Sequence, residues 1–138
     1  TINQDGSPNL SPKSTLKVFD SNHLMFANIA SPGTTSNLKR DPRIEINCVD
    51  IFSRRGYRFK GMGTIHSSGT QMHDDLCLEI KEEHGDSIPV FDAILIEVQD
   101  IKPVKSPAYH FIEGVNEDIL RKAYLKKYNV QPLNERED

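Results

Sequence analysis

The segment Arg43-Ile44-Glu45-Ile46-Asn47-Cys48-Val49 alternates apolar and polar residues without a break, and a period of two buries one face only in a β-strand. Ile44, Ile46 and Cys48 share that face, so Cys48 is expected in the core and not as a nucleophile. The remaining segments have to be built around such strands. Asn9 to Phe19 also alternates, and with Thr1-Ile2-Asn3 and the turn Gln4-Asp5-Gly6 it predicts an opening hairpin. Thr1 reads as mid-strand, so the first element is expected to be incomplete. After Asp20-Ser21-Asn22, the apolar stretch His23 to Ile29 is too short for a helix and reads as a return strand. Strand character resumes at Tyr57 to His66, and Phe91 to Ile101 reads as the last strand, with Ala93-Ile94-Leu95-Ile96 as its buried centre.

Three helices are expected between and after these strands. Ser31 to Arg40 has Ser31 as N-cap, Pro32 at the first helical position and Pro42 closing it. Thr70 to His84 places Met72, Leu76 and Ile80 four apart, with Gly85 as its stop. Asn116 caps a final helix with an acidic first turn, Glu117-Asp118, and Val115 and Leu120 as a hydrophobic staple. Strands and helices do not alternate regularly, so a Rossmann fold does not fit. A small β-barrel with helices in its crossovers does. The expectation is one domain over residues 1–138, closed by a helix and tail from 116 to 138 whose last residues, 131–138, fray.

Composition narrows the function. No apolar run approaches the roughly 18 residues of a membrane span, so no membrane partner is expected. Two cysteines, Cys48 and Cys77, cannot supply a disulfide framework and suit a reducing, cytoplasmic compartment. The formal net charge of -3 argues against nucleic acid as a partner. The basic turn Ser53-Arg54-Arg55-Gly56-Tyr57-Arg58 is then a solvated loop or a cofactor or dimer contact. His73, Cys77 and His84 fall on one helical stripe, but His73 and His84 are too far apart for one ion. A surface stripe is expected and no metal site. Neither a nucleophile triad nor paired carboxylates stand out in support of a hydrolase.

The strongest chemical signal is the hydroxyl-rich helix start Ser31-Pro32-Gly33-Thr34-Thr35. Free N–H groups and the helix dipole hold an anion there, and Ser and Thr add donors. The same residues also suit plain capping, and the segment alone leaves both readings open.

The order of Asp5-Gly6-Ser7-Pro8-Asn9-Leu10-Ser11-Pro12-Lys13, Phe26-Ala27-Asn28-Ile29 and Ser31 to Leu38 resembles the pyridoxamine 5'-phosphate oxidase-like family. Arg40-Asp41-Pro42-Arg43-Ile44, Gly56 to Gly61 and Ser106-Pro107-Ala108-Tyr109 extend the resemblance over most of the chain. It implies a mainly β fold with short helices, an FMN-binding split β-barrel, with FMN between the subunits of a homodimer. Carried over, the phosphate-binding strand supplies Ser11, Lys13 and Ser14, and the helix start supplies Asn28, Ser31, Thr34 and Thr35. Arg55 and Tyr57 fall where the neighbouring subunit closes over the flavin, while Asn37 and Leu38 are expected to serve helix packing. Many relatives carry Lys or Arg just before the phosphate-binding hydroxyl. Here Gly33 precedes Thr34, and Lys13 and Arg55 are the cations able to replace that charge.

The resemblance implies an FMN-dependent oxidoreductase acting on a small-molecule substrate that the sequence does not select, with no catalytic side chain identified. The alternatives are a flavin-binding storage or electron-relay protein without turnover, and a deazaflavin-dependent reductase. The chain lacks the Arg and Trp signature that the oxidase itself carries near its end. Tyr109 or Phe111 is expected to flank the cofactor groove, in a segment whose Pro103 and Pro107 disfavour helix and central strand.

Overall fold

The computed structural model of the chain describes residues 1–131. Its elements are β1 (Lys17–Val18), β2 (His23–Asn28), α1 (Pro32–Arg40), β3 (Arg43–Asp50), β4 (Arg55–Ser67), α2 (Gln71–His84), β5 (Asp92–Lys105), α3 (Ala108–Phe111) and α4 (Glu117–Tyr128). The strands form a five-stranded sheet in the order β1-β2-β5-β4-β3, so the fold is mainly β with short helices, as expected. Two compact units can be distinguished, Thr1–Ile46 with Phe59–Asp100, and Asn47–Arg58 with the chain from Ile101. Their boundaries fall inside β3, β4 and β5.

In the first unit β2 pairs antiparallel with β5, Leu24 opposite Ile96 and Phe26 opposite Ile94. The pleat turns Leu24 and Phe26 to one face, where they join Ile94, Ile96, Leu38 of α1 and Ile44 of β3 in one buried cluster. Met25, Ala27 and Ala93 turn to the other face and meet Leu76 and Ile80 of α2. Both strands are thus covered on both faces, which is why each reads as a continuous apolar run. Helix α1 lies close to β4: a side chain at Gly63 would put its Cβ 3.0 Å from Leu38 Cδ2. Among the described residues no helix is long and apolar enough to cross a membrane.

Four expectations change in detail. The opening hairpin reduces to one bridge, Ile2 to Pro8, and only Lys17–Val18 of the Asn9 to Phe19 run is strand. Pro12 removes a ladder donor from that run, and Pro8 stands just before it. The basic turn is shorter than its charge run, because Arg54 takes the left-handed conformation, φ 59°, and Arg55 to Arg58 already belong to β4. The last strand continues through Pro103 to Lys105. β2 covers β5 only over Asp92–Glu97, so Pro103 lies beyond that ladder, where a missing N–H is tolerated. Ala108–Phe111 forms a short helix, since Pro107, φ -52°, stands at its N-cap, where no donor is required. The frayed tail expected over 131–138 lies, apart from Gln131, outside the described residues.

The stripe of α2 differs as well, because His73 is buried, with 6% of its surface exposed. Its Nδ1 faces Asp74 Oδ1 at 2.9 Å and its Nε2 faces the Val90 carbonyl at 3.1 Å, with Cys77 Sγ 3.5 Å away. Both ring nitrogens can donate only in the imidazolium form. The hydrogen bond to Asp74 acts against burial, and with the Val90 bond and the charges of Asp74 and Asp92 it holds His73 above its ordinary pKa. The stability His73 contributes is therefore complete below the ordinary histidine value and is lost as pH rises through the raised folded value. Urea unfolding from roughly pH 5 to 9 should show that loss in the native chain and a shallower slope in His73→Gln.

Candidate functional site

β2 ends at Asn28 and the chain turns at once into α1. Ser31 stands at the N-cap position, but its side chain makes no capping hydrogen bond to the helix. Its Oγ donates instead to Asn28 Oδ1 at 3.0 Å and accepts from Lys13 Nζ. Lys13 also donates to Ser11 Oγ at 2.9 Å and lies 5.1 Å from the centre of the Phe26 ring. No carboxylate among the described residues pairs with Lys13, and burial pushes its ammonium below the ordinary lysine pKa. In the first turn of α1, Thr34 and Thr35 are buried. Among the described residues Thr34 Oγ1 accepts only a long bond, 3.4 Å, from Asn9, and the buried Thr35 Oγ1 has no hydrogen-bond partner.

A half-buried cation held by neutral hydroxyls and a ring face is desolvated without a counter-charge, and an unpartnered buried hydroxyl adds to the cost. An anion beside Lys13 would relieve the first. The helix start contributes in the same direction, because its free N–H groups are not used by the Ser31 side chain.

The structure thus brings Ser11, Lys13 and Ser31 into direct contact, with Thr34 and Thr35 in the first turn of the helix that Ser31 opens. Asn28 acts from behind: its oxygen accepts from Ser31 N and Oγ, and its Nδ2 donates to Asp92 Oδ2 at 2.9 Å. Ser14 is exposed and takes no part in these bonds. Asn37 and Leu38 pack α1, Asn37 through Thr1 and Asn3. Asp92 was not legible as a site residue, because nothing in the local pattern near Phe91 marks it.

Arg55 and Tyr57 belong to the second unit. Arg55 pairs with Glu117 Oε2 at 2.7 Å, and its guanidinium lies 5.9 Å from the Tyr109 ring centre. Tyr109 donates to the Ser53 carbonyl at 2.6 Å. These residues border an open groove of about 470 Å³ lined by Ser53, Arg55, Tyr57, Lys105 and Glu117. Tyr109 stands beside the groove through Arg55 and Ser53, whereas Phe111 is 85% exposed. Among the described residues no group of three or more His, Cys, Asp or Glu is arranged to hold a metal ion.

The family model described as pyridoxamine 5'-phosphate oxidase matches residues 1–105. The chain belongs to the pyridoxamine 5'-phosphate oxidase family. The match takes in both the Lys13 cluster and the β4 residues Arg55 and Tyr57, and it ends before Ser106-Pro107-Ala108-Tyr109. Solved structures agree on the fold. HupZ of Group A Streptococcus is 24% identical with a TM-score of 0.67, over 77% of this chain and 82% of that one. An FMN-binding protein from Syntrophomonas wolfei is 16% identical with a TM-score of 0.65, over 77% and 74% of the two chains. An F420 reductase is 14% identical with a TM-score of 0.57, over 74% and 84%. The architecture is the split β-barrel of the pyridoxamine 5'-phosphate oxidase family. No curated protein matches the sequence.

Proposed function

We propose that the protein binds FMN between the two subunits of a homodimer and works as an oxidoreductase on a small molecule in the cytoplasm. The observation that carries this reading is the Lys13 ammonium, held between Ser11 and Ser31 with no carboxylate partner among the described residues, beside an uncapped helix start and an unpartnered Thr35 hydroxyl. That donor set suits a phosphate monoester. Family membership and the FMN-binding protein among its structural neighbours support FMN as its source.

In this reading Lys13, Thr34 and Thr35 hold the phosphate, and Ser11 and Ser31 keep the ammonium in place. Lys13 supplies from the neighbouring segment the charge that Gly33 does not. Arg55 and Tyr57 are contributed by the second copy, where the guanidinium, already steadied by Tyr109, closes over the ring. FMN, when bound, supplies hydride or electron transfer. The protein's part is to orient the ring and limit water around it.

Two measurements test this. The purified protein should sediment at about twice 15.6 kDa and bind FMN well ahead of riboflavin. A monomer with tight FMN binding removes the shared site and the role of Arg55, and equal affinity for the two flavins removes the phosphate assignment. Reduction of the bound flavin by NADH or NADPH and reoxidation by an acceptor at a catalytic rate separates an enzyme from a storage or relay protein. The F420 reductase neighbour gives a deazaflavin a specific claim, and absorbance bands of FMN in the purified protein would dismiss it.

A further inference from the structure

Behind the Lys13 cluster lies a chain of hydrogen bonds that ends on β5. Asp92 Oδ2 accepts from Asn28 Nδ2 at 2.9 Å, and Asp92 Oδ1 accepts from Ser67 Oγ at 2.7 Å. An ionised carboxylate can only accept. Burial works to raise the Asp92 pKa, but the bonds from Asn28 and Ser67, with Lys39 and His73 nearby, outweigh it and hold the group below its ordinary value.

Asp92 therefore fixes which way the Asn28 amide faces. With the NH₂ turned to Asp92, the Asn28 oxygen faces Ser31 and accepts from its N–H at 3.2 Å and its Oγ at 3.0 Å. The single hydroxyl proton of Ser31 is then committed, and its oxygen meets Lys13 as an acceptor. A flipped Asn28 would set its NH₂ against the Ser31 N–H, donor against donor. It would also free the Ser31 proton beside an ammonium that has no use for it.

We propose that Asp92 is a positioning residue for phosphate recognition: through Asn28 it orders Ser31 so that the Lys13 ammonium and the start of α1 present one fixed arrangement to the anion. The inference rests on the reading of this cluster as the FMN phosphate site and adds to it a residue that touches neither phosphate nor lysine. Asp92 stands 64 residues from Asn28 in the chain, so it ties the cluster to the first residue of β5.

The test is the ratio of FMN to riboflavin affinity, read by quenching of flavin fluorescence in the dimeric protein. Asp92→Ala should lower that ratio by about tenfold, the scale of one hydrogen bond to a charged group, with riboflavin affinity nearly unchanged. Asp92→Asn, which can still accept from Asn28 and meet Ser67, should restore most of it. Asn28→Ala should cost about as much as Asp92→Ala, and the double variant no more than either, because both break one chain. A ratio kept in folded Asp92→Ala, or in Asn28→Ala should Asp92→Ala not fold, overturns the inference. So does equal weakening of both flavins, which a merely structural role would give. Lys13→Ala separates the two levels of argument: loss of the ratio there but not in Asp92→Ala sinks the role of Asp92 alone. A native protein with no preference for FMN sinks it together with the phosphate site.

Discussion

Lys13→Ala combined with Thr34→Ala is expected to weaken FMN binding by about a hundredfold or more while riboflavin binding changes little. In the proposed site each residue offers the phosphate one bond, and a hydrogen bond to a charged group is worth roughly 1.5–3 kcal/mol. Riboflavin has no phosphate and so reports on the ring site and the fold alone. Lys13 should account for the larger share, because its ammonium is the charged member and has no carboxylate among the described residues to fall back on. The single variants can be compared with the pair by titrating flavin fluorescence. Equal losses for both ligands would mean that Lys13 and Thr34 shape the barrel or the ring site instead.

Phe26→Ala carries the largest expected effect on stability. Phe26 is 2% exposed, lies opposite Ile94 across the β2–β5 ladder, and touches the cluster that includes Leu24, Leu38 and Ile96. Removing an aromatic ring from such a position costs about 3–5 kcal/mol, a fall in Tm of roughly 10–20 °C. The same ring lies under the Lys13 ammonium, so the variant should also lower the preference for FMN over riboflavin. Phe26→Leu should recover most of the stability without the aromatic face, which separates the two effects. A loss below about 1 kcal/mol in chemical denaturation would show that this cluster is not the principal core of the unit.

The fold was legible wherever a residue's environment follows from its neighbours in the chain. β2, the centre of β5, the face of β3 and the caps of α2 and α4 all declare themselves through period, capping residue or stop signal. The errors came where a distant partner decides. Pro103 reads as a strand breaker until one sees that β2 covers β5 only as far as Glu97, and His73 reads as surface until Val90 lies over it. The site divides in the same way. Ser31, Thr34 and Thr35 announce an anion site or a cap by local composition, and the contact with Lys13 that supports the first reading comes from 18 residues away. Asp92 has no local signature, because its role depends on where the side chain of Asn28 ends up.

The passage of β5 through Pro103 has a bearing on how the chain avoids association through open strand ends. Beyond Glu97 the strand leaves the β2 ladder with Ile101 more than half exposed, which would ordinarily offer a template for a foreign strand. Proline breaks that template by removing one amide from the row, and Lys102 and Lys105 set a charge on either side of the gap. A strand added there would find no N–H at Pro103 and would run past the ammonium of Lys105. An apolar residue can therefore stand in solvent at the end of β5 without offering a continuous edge for sheet growth.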